Sequence, residues 1–131
     1  MSTQVNQKMS MRLRSIDMKF SICKVREFRA DDLAKPFAFA ARTDEECSLV
    51  CPTEMVPEDA IARTDGWRAL RVEGTLDFSL IGILAPIAQI LADAKVGIFV
   101  VSTYNTDYVL VRETQLEHAV SVLADAGYQI E

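Results

Sequence analysis

The chain has 131 residues, half of them hydrophobic and a quarter charged, and a net charge of −5. That is enough apolar material for the core of one domain, or of two small units, and the charge excludes a nucleic-acid groove, which needs clustered Lys and Arg. The longest apolar run, "SLIGILAPIAQILADA", is broken by Pro86, Gln89 and Asp93 and is too short to cross a bilayer.

Residues 1–17, "MSTQVNQKMSMRLRSID", are polar and lack the apolar segment of a signal peptide. They are expected to be a disordered tail, with Met9, Met11 or Met18 as alternative starts. "KFSICKV" then reads as a strand. "FAFAARTDEECSLVCP" reads as a hairpin turning at Thr43, Asp44 and Glu45. "VPEDAIARTDG" is expected to make one helical turn, with Pro57 near its start. Residues 18–66 thus form a β-rich half with little helical cover, expected to lean on the rest of the chain or on another subunit.

From Trp67 the pattern is regular. "WRALRV" is a strand, and "EGTLDFS" a loop leading to a helix cap at Asp77 or Ser79. Leu80, Ile83, Leu84, Ile87, Leu91 and Ala94 recur at three- and four-residue steps, which predicts a helix with one buried face. Pro86 falls inside it and predicts a kink or an irregular first stretch. "VGIFVVSTYN" and "DYVLV" form a hairpin whose turn holds six polar residues, Ser102 to Asp107, and no glycine.

"TQLE", Thr114 to Glu117, matches a capping box opening a second helix. Leu116, Ala119, Val120 and Leu123 form its stripe, Gly127 its left-handed end, and "YQI" a last strand. The order is β-α-β-β-α-β, the ferredoxin-like α+β arrangement.

The chemistry-bearing residues are few. His118, the single histidine, lies beside the apolar stripe and reads as a surface residue. Cys23, Cys47 and Cys51 are an odd set with no disulfide framework, which places the chain in a reducing cytoplasm. Cys47 and Cys51 share a strand face, but their spacing is not that of a zinc site, and they read as packing residues. No phosphate loop or dinucleotide fingerprint occurs.

What remains is the helix start, where unpaired N–H groups suit a carboxylate, and the acids Asp77 and Asp107, which suit a cation. Ser102 and Thr103 add hydroxyls. A carboxylate acceptor beside a cation acceptor is what a free amino acid requires. As structural roles, Asp77 serves as a cap and Asp107 as a turn residue.

"GWRALRVEGTLDFS", followed by "STYNTDYVLV", resembles the ACT domain, in particular the subfamily related to the arginine sensor CASTOR. The resemblance covers Trp67 to about Ile130, while "TDEECSLVCPTEMVP" looks like the truncated N-terminal unit of small bacterial tandem members. It implies a truncated ACT-like unit over 18–66 and a complete ACT domain over 67–131, and it does not cover the tail over 1–17. It further implies a regulatory module, and the residues themselves ask for no catalysis, cofactor or metal. Such a module binds an amino acid between two ACT units, as a homodimer or through an unidentified regulated protein, with no nucleic acid or membrane partner.

By position, the ligand-binding residues so implied are Asp77, Phe78, Ser79, Gly82 and Ile83 at the helix start, and Thr103, Tyr104 and Asp107 at the hairpin. Ser48, Leu49 and Val50, read as an edge strand of the partner unit, complete the set. The sequence departs from the arginine sensor at "DFSLIG", which has fewer acidic groups. A ligand-free assembly module is the alternative, and a small enzyme using Cys47 or His118 a further one.

Overall fold

The computed structural model describes residues 11–73 and 82–131 and divides them into two compact units. One unit joins residues 11–17 to 68–131, and the other is 18–67. Two long strands serve both, β1 (Arg12–Val25) and β4 (Ala62–Glu73). The remaining strands are β2 (Phe39–Arg42), β3 (Cys47–Pro52), β5 (Ile98–Ser102), β6 (Asp107–Arg112) and β7 (Gln129–Ile130). Two α-helices, α1 (Leu84–Asp93) and α2 (Leu116–Asp125), and three short 3₁₀ turns complete the described elements. The fold is mixed α+β.

In the first unit the order β4-α1-β5-β6-α2-β7 is the expected one. The strands lie side by side as β7-β1-β4-β6-β5. The difference from a four-stranded sheet is β1, whose first residues pair in parallel with β7 through Arg12↔Gln129 and Leu13↔Ile130. Residues 12–17 are therefore strand and not tail. The cause is local: in "MRLR" every second residue is apolar, so Met11 and Leu13 are buried while Arg12 and Arg14 are exposed.

Leu13, Leu70, Val72, Val109 and Val111 form one core with Ile87 and Leu91 of α1 and Ala119 and Leu123 of α2. Each such Leu or Ile side chain contributes about 1.5–3 kcal/mol by leaving water. Strand alternation then sets Arg12, Arg14, Arg71, Glu73 and Tyr108 on the sheet face opposite the helices.

Both helices differ in their first turns from what the sequence led one to expect. α1 begins at Leu84, so Pro86 is its third residue, where its missing N–H would have no intrahelical partner anyway. The proline costs the helix no hydrogen bond there and needs no kink. The cap expected at Asp77 or Ser79 lies outside the described residues.

Before α2 the chain makes a 3₁₀ turn, Glu113–Gln115, directly after β6. Thr114 is thus inside that turn, Gln115 is the cap without a side-chain bond, and the capping box is not formed.

The helix ends repeat one device. Val96 N–H donates to the Leu91 carbonyl at 2.9 Å, and Tyr128 N–H to the Leu123 carbonyl at 3.1 Å. Each wraps over a left-handed residue, Lys95 (φ 62°) in the first case and Gly127 (φ 106°) in the second.

The second unit orders its strands β2-β3-β1-β4. β2 and β3 are the expected hairpin, in register Arg42↔Cys47 and closed by Thr43 N–H donating to the Glu46 carbonyl at 2.9 Å. Cys23, Val25, Leu49 and Cys51 form its small core. Burial pushes the Cys51 thiol up to about 12, with the neighbouring Cys23 adding to the effect.

Fully buried Ser21 is hydrogen-bonded to Asp65 at 2.6 Å and to Thr53 at 2.9 Å. The helical turn expected after Pro57 is instead a tight turn, Ala60 N–H donating to the Pro57 carbonyl at 3.1 Å. "ARTDG" belongs to β4. No described helix is long and apolar enough to cross a membrane.

Candidate functional site

The hairpin between β5 and β6 places the site. Its register, Val101↔Tyr108 and Ser102↔Asp107, leaves Thr103 to Thr106 as a four-residue loop. Thr103 N–H donates to the Thr106 carbonyl at 2.8 Å, and the Thr103 hydroxyl donates to the same carbonyl at 2.9 Å. In return Thr106 N–H donates to the Thr103 hydroxyl at 3.3 Å. No residue of this loop has positive φ, which is why glycine is not needed. The Thr106 hydroxyl donates to the Val72 carbonyl at 2.6 Å, tying the loop to the end of β4.

Between that loop and the helix-free face lies a cleft of about 520 Å³. It is lined by Arg12, Arg71, Val72, Glu73, Thr103, Asn105, Thr106 and Tyr108. Arg71 makes a two-point pair with Glu73, its Nη2 and Nε lying 2.8 and 3.0 Å from Oε2, and its guanidinium stands 5.9 Å from the Tyr108 ring centre. Hydrogen bonding to Tyr108, then to Glu73, raises the Arg71 pKa above its ordinary value.

Glu73 also accepts from Arg14 Nε at 3.2 Å. Burial alone would raise the Glu73 carboxyl, but Arg71 and Arg14 outweigh it and hold it below its ordinary 4.5. Glu131 reaches Arg14 at 3.2 Å and Arg12 at 3.8 Å. The arrangement offers positive charge, hydroxyl and amide groups on a rigid sheet. Groups of these kinds can hydrogen-bond and pair with a small polar molecule.

The residues expected from the sequence fall in several places. Thr103 lines the cleft. Tyr104 is at the loop tip, 85% exposed, and Asp107 sits at the start of β6 opposite Ser102. Gly82 is exposed with φ 75°, and Ile83 packs against the helical core. Asp77, Phe78 and Ser79 lie outside the described residues.

Ser48, Leu49 and Val50 do not form an edge. β3 pairs with β1 on one side and β2 on the other, so the backbone groups that were to meet a ligand are spent within the ladders. Leu49 and Val50 are buried. Among the described strands, β2 lies at the edge beside β3.

Arg12, Arg71, Glu73, Asn105, Thr106 and Tyr108 were missed as site residues. Alternation in "MRLR" and "ALRVE" was the available signal, since it separates Arg12, Arg71 and Glu73 from the apolar side of their strands.

His118 is exposed, Nε2 lying 3.3 Å from the Ala94 carbonyl. Among the described residues no group of three or more His, Cys, Asp or Glu side chains is placed to hold a metal. A second cleft, of about 400 Å³, lies in the other unit and is lined by Arg29, Asp31, Asp32, Lys35, Met55 and Pro57 among others.

Comparison with known proteins adds a family. Residues 62–125 match the sequence profile of the ACT domain. The crystal structure of protein Atu0741 from Agobacterium tumefaciens is 30% identical, with a TM-score of 0.84 over 92% of each chain. A Vibrio cholerae protein of unknown function, VC0802, is 18% identical with a TM-score of 0.77, over 96% of this chain and 97% of its own. The regulatory subunit of aspartate kinase from Thermus thermophilus, in its ligand-free form, is 10% identical. It gives a TM-score of 0.60 over 88% of this chain and 95% of its own. The latter two likenesses concern the fold alone. No curated protein matches the chain.

Proposed function

Because residues 62–125 match the ACT domain, we propose that this chain is a regulatory module that binds a free amino acid and passes the binding on through assembly. The observation that carries this reading is the cleft of the first unit. Arg12 and Arg71 face it with Thr103, Asn105, Thr106 and Tyr108, and Thr106 locks the loop to β4. A guanidinium grips a carboxylate at two points, and the loop oxygens accept from an ammonium. The unlike pair Arg71 and Glu73 keeps the guanidinium in place before any ligand arrives, so little ordering cost falls on binding.

The ligand acts by its greater affinity for one assembled state. The output is a change in a homodimer or in contact with a regulated protein, and no catalytic step is involved. Asp77, Phe78 and Ser79 of the adjoining segment belong to this proposal, since that segment follows directly on Glu73. A CASTOR-like subfamily placement rests on the motif resemblance.

The second reading is a ligand-free assembly module. β5 favours it, an edge strand of the first unit on which Phe99 is exposed. A thermal-denaturation screen over the twenty amino acids separates the two. A ligand present at 100 times its Kd should stabilise the fold by about 2.7 kcal/mol. A flat screen, with dimerisation unaffected by any amino acid, would leave the assembly reading standing alone.

A further inference from the structure

Three guanidinium groups, Arg12, Arg14 and Arg71, meet two carboxylates, Glu73 and Glu131, around the cleft. Among the described side chains of this network one positive charge is in excess. Both carboxylates are already engaged. Glu73 holds Arg71 at 2.8 Å and Arg14 at 3.2 Å, and Glu131 holds Arg14 at 3.2 Å. Arg12 has the loosest of these pairs, 3.8 Å to Glu131, and its side chain is 46% exposed where it lines the cleft. The excess charge is therefore presented by Arg12, the most loosely paired guanidinium of the lining.

The neutral lining carries no charge of its own, and its Asn105 amide and Tyr108 hydroxyl can donate as well as accept. A second cation entering here would meet guanidinium before any unengaged carboxylate. A second carboxylate would find a partner without displacing Glu73.

Resting on the reading of this cleft as an amino-acid site, we infer that its ligand is an acidic amino acid, with the side-chain carboxylate paired to Arg12. The ligand's other carboxylate falls to Arg71, which Glu73 and Tyr108 hold in place. The preference is electrostatic, so it weakens as salt is added.

Isothermal titration of the full chain with L-aspartate, L-glutamate, L-asparagine, L-glutamine and succinate tests this. An acidic amino acid should bind at least roughly tenfold more tightly than its amide, which corresponds to about 1.4 kcal/mol. Arg12→Gln should remove that preference and Arg12→Lys should keep most of it. Arg12 is exposed enough that both variants are expected to fold, which the unchanged unfolding transition verifies.

Amides binding as tightly as the acids would overturn the inference and leave the amino-acid reading intact. Succinate binding as tightly as L-aspartate would support the Arg12 carboxylate site and overturn the amino-acid reading beneath it. No binding by any of the five would overturn the inference, and the amino-acid reading would fall with it only if the screen over all twenty were flat as well.

Discussion

Lys95 carries a conformation better suited to glycine. It occupies in "LADAKV" the place Gly127 occupies in "LADAGY", with the same wrapped hydrogen bond one residue further on. An L-residue in the left-handed region costs roughly 1–2 kcal/mol, part of which glycine returns as unfolded-chain entropy. Lys95→Gly should therefore stabilise the protein by about 0.5–1 kcal/mol, read as a rise of the thermal midpoint by roughly 2–5 °C. A fall in the midpoint would mean that the Lys95 side chain contributes more than its backbone costs.

Glu73 gives a pH dependence with a definite sign. Its folded carboxyl lies below the ordinary 4.5, so the unfolded chain binds the proton more readily. The pair's contribution is complete above about pH 4.5 and is lost as pH falls through the folded value. Urea unfolding from about pH 6 down to pH 3 should show the gap between wild type and Glu73→Gln closing. A constant gap would show that Arg71 and Arg14 do not hold the carboxyl ionised.

Elements, in turn, explain why the polar hairpin exists. Thr103 and Thr106 close their own loop, and the Thr106 hydroxyl fastens it to the Val72 carbonyl. Thr106→Val keeps the β-branched shape and removes the hydroxyl, leaving a partly buried carbonyl without its donor. Its cost should be about 1–2 kcal/mol in denaturant unfolding. A loss of amino-acid affinity should accompany it, because the loop is part of the cleft wall. Stability reduced without any change in affinity would reduce the loop to a structural clasp.

The same scale shows why some features were legible in sequence and others not. The stripes of α1 and α2 and the two hairpins follow from period and turn chemistry, and they stand where expected. Pro86 misled because the helix start was placed too early. Thr114 misled because a 3₁₀ turn competes with a capping box for the same residues. β3 misled because a strand's sequence does not state whether one or both of its edges are paired.

For the whole molecule, the ACT-like order of elements was readable from Trp67 onward, since each element there is built from near neighbours. The contribution of residues 12–17 was not. Their composition is polar, and the strand they form depends on β7, more than a hundred residues later in the chain. The site suffered from the same long-range pairing. Arg12 and Arg71 come together only because β1 lies beside β4, and no local motif announces that.

The most direct measurement is a ¹⁵N–¹H correlation spectrum of the labelled chain, titrated with whichever amino acid most raises its thermal midpoint. The amides of Val72, Glu73, Thr103, Asn105 and Thr106 should shift together and saturate at one ligand per chain. Shifts confined to residues 29–35 or 48–50, or a spectrum unmoved by all twenty amino acids, would contradict the assignment of this cleft.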